Sequence, residues 1–121
     1  MPKSSFGFAT PEESPGFLLW QTTITWQRLI KNILDRYQLS HAQFVILALL
    51  LWFEETQQEY IQSDIVNKSK LDKMTVSKAL KKLVSMRLVE RSEHVHDTRA
   101  KLVYLTHKGK TLIRKLIPVI E

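Results

Sequence analysis

The chain has 121 residues and a mass of 14.2 kDa, which leaves room for one domain. With 44% hydrophobic and 25% charged residues it has the material for a core, which excludes a disordered chain; the absence of cysteine excludes disulfides, thiolate metal sites and cysteine nucleophiles, and fits a reducing cytoplasm. A net charge of +6 and a pI near 9.7 point to a polyanionic partner.

Residues 1–15 hold three of the four prolines with Ser and Gly among them, and are expected to form an extended arm ahead of one domain at 16–121. Phe6 and Phe8 are its apolar anchors. A first helix is expected at about 15–37. Leu19, Trp26, Leu29, Ile30, Ile33, Leu34 and Tyr37 fall on one face at helical period, and Phe17, Trp20 and Ile24 on nearly the opposite one. One face can meet the core, while the other needs the arm or a second subunit, so Phe17, Trp20 and Ile24 are the candidate dimer interface.

Ser40-x-x-Gln43 reads as a capping box at the start of the next helix, with Leu39 and Phe44 as its staple. The run 44–53 is apolar throughout, too short for the roughly twenty residues of a membrane span, and is expected to be buried on all sides. No secretory or targeting pattern precedes it, and a cytoplasmic protein with no membrane partner is expected.

A short helix at about 62–68 and a tight turn at 69–71 lead to a helix at about 72–86 with Asp72 as N-cap. Its inner face is Val76, Ala79, Leu80, Leu83 and Val84. Its outer face is Met74, Thr75, Ser77, Lys78, Lys81, Lys82 and Ser85, with no acid after Asp72. The period then changes: 88–93 and 101–106 read as two antiparallel strands around a polar loop at 94–100. Thr106 can cap a last helix whose apolar side is Leu112, Ile113, Leu116, Ile117 and Ile120, with Pro118 disturbing its final turn.

Charge follows this order. Residues 1–67 carry four basic and seven acidic side chains, net −3, and residues 68–121 carry fourteen basic and five acidic, net +9. Helix, tight turn, basic helix and two-stranded hairpin make a mainly α (α+β) fold, a winged helix-turn-helix with a two-stranded β-wing: helix-turn-helix at about 62–86, wing at about 88–106. An α-helix fits the major groove of B-DNA, and an arginine on a neighbouring hairpin suits a narrow minor groove.

The segment DTRAKLVYLTHKG at 97–109 resembles the wing and following cap of MarR-type transcriptional regulators, in which Asp-x-Arg precedes a strand and then Leu-Thr-x-x-Gly; here these are Asp97, Arg99, Leu105, Thr106 and Gly109. Residues 63–91 resemble the helix-turn-helix and first wing strand of the same family. The resemblance implies that Arg99 enters the minor groove, that Asp97 holds the wing through Arg91 or Arg99, and that Thr75, Ser77, Lys78 and Lys81 belong to the DNA-binding surface; the lysine cluster adds Lys82 as a phosphate contact, and Lys101 on the wing is a further candidate. It also implies a homodimeric repressor on a palindromic operator in double-stranded DNA, and a small aromatic ligand that releases it.

Three departures stand against the family pattern. Arg87 replaces the usual glycine after the recognition helix and implies a strained or different cap. Ile61 stands where a Ser or Thr usually caps the short helix. The chain ends at Glu121, short of the long final helix that completes the family's dimer, so dimerisation is expected to fall on the first helix, the arm and the last short helix.

Other constellations carry plainer readings. His94-x-His96 is half a metal site without a third ligand, and an exposed wing is favoured. Trp20, Trp26 and Trp52 read as core or interface before they read as a ligand pocket. No nucleophile elbow, HExxH, P-loop or glycine-rich nucleotide loop occurs, so neither an enzyme nor a cofactor or metal protein is expected. The competing reading is a winged-helix protein–protein interaction module without specific DNA binding.

Overall fold

The computed structural model describes residues 4–56, 60–93 and 101–121. Five helices and one hairpin follow in order: α1 (Pro15–Leu34), α2 (His41–Glu55), α3 (Gln62–Ser69), α4 (Lys73–Ser85), β1 (Val89–Glu93), β2 (Lys101–Leu105) and α5 (His107–Ile120). The arm contributes one short 3-10 turn at Pro11–Glu13.

Each helix begins where a side chain satisfies a free amide. Ser14 Oγ accepts from the Phe17 amide at the start of α1. At α2 both halves of the capping box form, Gln43 N–H to Ser40 Oγ at 3.1 Å and Ser40 N–H to Gln43 Oε1 at 2.9 Å. At α3 the N-cap Ile61 has no polar side chain, and the box survives by half: its own amide donates to Asp64 Oδ2 at 2.8 Å. Asp72 caps α4 and Thr106 caps α5.

Helix α2 is the central element, touching α1, α3, α4, α5 and β2. It buries Phe44, Ile46, Leu47, Leu50, Leu51 and Phe53. Burial on all sides does not hold: Val45, Ala48 and Leu49 are half-buried, and Trp52 is 45% exposed, with the Lys68 ammonium 5.3 Å from its ring. Val84 likewise leaves the inner face of α4 and is exposed. The hairpin pairs Val89 with Leu105 and Arg91 with Val103, which turns Val89, Val103 and Leu105 into the core. Ile61 bridges to Leu102 and widens the hairpin by one short antiparallel contact.

The first helix departs most from expectation. Ile30 and Leu34 are buried and Ile33 and Tyr37 half-buried, but Leu19, Trp26 and Leu29 of the same stripe are exposed. A helix of 20 residues is about 30 Å long, and only its last turns reach α2. The last helix reaches Ile120 as expected and continues through Pro118, with the Glu121 amide donating to Ile117 O. One missing amide near a helix end costs one backbone bond and does not stop the helix.

Candidate nucleic-acid interface

Helix α4 turns Val76, Ala79, Leu80 and Leu83 inward. Met74, Lys78, Lys81 and Ser85, spaced i, i+4, i+7 and i+11, form the opposite stripe, and all four are exposed. Ser77 and Lys82 flank it, also exposed, and Lys73 opens the helix. Thr75 is half-buried and is committed to the cap: its amide donates to Asp72 Oδ1 at 2.7 Å and its hydroxyl to Oδ2 at 2.9 Å. These bonds hold the Asp72 carboxyl below its ordinary value. The acid at the head of the helix is therefore an anion turned to the backbone, and the stripe beyond it is positive.

The turn before α4 is set by Lys70 in the left-handed region, φ 63°. The turn after it is set by Arg87, φ 62°. Leu88 N–H donates to Leu83 O at 3.0 Å and Arg87 N–H to Val84 O at 2.9 Å, the two bonds of a Schellman cap. The glycine-type cap is thus retained with an arginine in it.

The Leu-Thr-x-x-Gly segment acquires a physical account. Thr106 Oγ1 accepts from Gly109 N–H at 3.0 Å and donates to Arg87 O at 2.6 Å, while Thr106 N–H donates to Leu88 O at 3.0 Å. A Cβ on Gly109 would overlap the Leu88 carbonyl, so glycine is what lets α5 lie against the chain leaving α4. One threonine therefore fastens the end of α4, the root of the hairpin and the start of α5.

Sequence reasoning missed a second fastening. Glu54, near the end of α2, accepts from Leu105 N–H at 3.1 Å and from the Tyr60 hydroxyl at 3.2 Å through Oε1. Its Oε2 pairs with Lys110 Nζ of α5 at 3.1 Å. Burial, followed by the Glu54 charge and hydrogen bond, pushes the Tyr60 phenol well above its ordinary value, so it stays a donor. The available signal was a carboxylate closing an otherwise apolar run.

Of the wing residues, Arg91 is half-buried and its Nη1 lies 3.5 Å from Gln62 Oε1 of α3. Asp97, Arg99, His94 and His96 lie outside the described residues, and Lys101 is placed only as the backbone partner of Glu93. Of the candidate dimer face, Trp20 is exposed while Phe17 and Ile24 are half-buried. Leu18, Leu19, Trp26 and Leu29 are exposed beside them, so the apolar surface of α1 extends around the helix beyond the predicted three residues. Among the described residues no group of three His, Asp or Glu side chains is gathered as a metal site, and no helix is long and apolar enough to cross a membrane.

A tight-turned helix pair whose second helix is basic outward, with a hairpin fastened beside it, defines a winged helix-turn-helix of the DNA-binding class. The family model described as ArnR1-like, winged-helix domain matches residues 35–121. The chain is 33% identical over 114 residues to the HTH-type transcriptional regulator YdcH of Bacillus subtilis, covering 94% of this chain and 78% of that one. It is 26% identical over 103 residues to the HTH-type transcriptional regulator SarR of Staphylococcus aureus, covering 85% of this chain and 88% of that one. Among solved structures it is similar to Bordetella bronchiseptica BpsR, whose DNA binding is regulated by 6-hydroxynicotinic acid, with 27% identity, a TM-score of 0.77, and coverage of 93% and 77%. The chain belongs to the MarR family of winged-helix transcriptional regulators.

Proposed function

We propose that the chain acts as a homodimeric repressor of a palindromic operator, with α4 in the major groove and the wing in the adjacent minor groove. The observation that carries this reading is the outward stripe of α4, where Ser77, Lys78, Lys81 and Lys82 are all exposed and no acid interrupts them. In this reading Lys78, Lys81 and Lys82 meet phosphates, Ser77 meets a base edge, and Thr75 accepts through its hydroxyl oxygen while it holds the cap. Arg99 enters the minor groove, Lys101 meets the backbone beside it, and Asp97 with Arg91 steadies the loop. Phe17, Trp20 and Ile24, with the exposed apolar residues around them, meet a second copy.

A small aromatic ligand is the effector we assign to the cleft of about 610 Å³ between α1 and α2, lined by Gln27, Leu34, Gln38, Ser40, His41 and the Lys31–Asp35 ion pair. The regulation of BpsR by an aromatic compound supports an effector of this class. A thermal-shift series with phenolic and pyridine carboxylic acids tests it, and no shift at high concentration counts against it.

Selection of bound duplexes from a randomised library at physiological salt tests the main reading. Enrichment of a two-fold palindrome with half-sites about one helical turn apart is expected. A single half-site would point to a monomeric reader. No enrichment, with binding that vanishes as salt rises, would replace the reading with a protein-interaction module.

A further inference from the structure

Met74 is the residue on the α4 stripe that phosphate binding does not explain. It is 67% exposed, in the first turn of the helix, at the head of the row that continues through Lys78, Lys81 and Ser85. Single exposed apolar residues are ordinary on protein surfaces and need no account. Met74 differs by its place. The N-terminal turn of a recognition helix is the part that reaches base edges. On this stripe the other members end in an ammonium or a hydroxyl, and Met74 ends in a thioether and methyl. It cannot donate a hydrogen bond to the acceptors of guanine or adenine, and its thioether is only a weak acceptor for the amino groups of adenine and cytosine. The one apolar group the major groove presents is the C5-methyl of thymine. An unbranched chain with three rotatable bonds can follow that methyl without rigid placement of the backbone.

We infer that Met74 is a specificity-determining residue that reads a thymine C5-methyl in each half-site. This rests on the DNA-reading function proposed above. The Asp72 carboxylate two residues before it is turned to the Thr75 amide and hydroxyl, so it does not compete with Met74 for a base edge.

The test separates this inference from the function it rests on. The full chain and its Met74→Ala variant are each put through the duplex selection, and each thymine of the selected operator is then replaced by deoxyuridine, which removes only the methyl. The native chain is expected to lose about fourfold in affinity at one thymine per half-site, the worth of one buried methyl group. Met74→Ala is expected to lose nothing further at that position and to relax its preference there, while Met74→Leu keeps the preference. Equal melting temperatures would show that the variants are folded. An operator selected equally by native and Met74→Ala chains, with equal responses to every deoxyuridine, overturns the inference and leaves the function intact. No selected operator at all overturns both.

Discussion

Arg87 occupies backbone space that favours glycine. A left-handed non-glycine residue costs roughly 1–2 kcal/mol, and glycine returns part of that through its freedom in the unfolded chain. Arg87→Gly is therefore expected to stabilise the protein by about 0.5–1 kcal/mol, read as a higher denaturant midpoint at unchanged slope. Gly109 is the opposite case. Gly109→Ala sets a methyl against the Leu88 carbonyl and forces α5 away, with an expected loss of about 3 kcal/mol, the upper range of overpacking. The two positions also differ in legibility. Arg87 stands out in the sequence as a departure from a glycine, but the cap's conformation depends on hydrogen bonds to Leu83 and Val84, which hold φ positive whatever side chain is present. His41 offers a pH-dependent check. Burial, with the Trp26 ring 4.9 Å away edge-on, lowers its pKa from the usual 6.5, so the folded state favours neutral imidazole. Its contribution is present above pH 6.5 and is lost as pH falls below that value, where the unfolded chain takes up the proton. The melting temperature of the native chain should fall more steeply from pH 7.5 to 5 than that of His41→Gln; parallel curves would remove His41 as the cause.

Among the elements, those that announce themselves locally were the legible ones. The capping box at Ser40, the Asp72 cap and the change of period after Met86 each lie within a few residues, and the start of α2, helices α3 and α4 and both strands stand within a residue or two of their predicted limits. Glu54 was invisible for the complementary reason: Leu105 and Lys110 follow it by more than fifty residues, and nothing near Glu54 names them. The consequence is testable. Glu54→Ala leaves the Leu105 amide without its acceptor, and a loss of roughly 1–3 kcal/mol is expected. Because the same carboxylate holds β2 to α2, amide exchange at Leu105 should quicken by more than exchange in α3, which does not depend on it. Uniform quickening would mean that Glu54 supports only global stability. The first helix shows the limit of periodicity. Its two apolar faces were legible, but which of them meets this chain's own core depends on where the helix stands relative to α2, and only the last turns come within reach.

At the scale of the whole molecule, the charge split and the apolar helix belong to two different surfaces. The basic half was legible from composition along the chain, and α4 gives it a face; the tip of the wing with Asp97 and Arg99 lies outside the described residues, so its part in the interface stays with the proposal. Surface charge and surface hydrophobicity make separable predictions. A glutamate at Trp20 would place a charge in the apolar face of α1, far along the helix from α4. Trp20→Glu should halve the mass in sedimentation if that face joins two copies, and should weaken operator binding by removing one half-site contact from each complex, with little change in salt dependence per half-site. An unchanged mass would exclude Trp20 from the interface. Lys78→Ala acts on the other surface. If Lys78 neutralises one phosphate per protomer, the slope of log K against log salt should become shallower by about 0.9 per half-site, equally for operator and unrelated duplexes, while the mass stays that of the native protein. A lysine that is merely solvated would leave the slope unchanged. A lysine that reads a base would instead change the preferred sequence. The pair of variants therefore assigns assembly to α1 and groove binding to α4 independently, and a loss of both properties on either substitution would mean that the two surfaces are one.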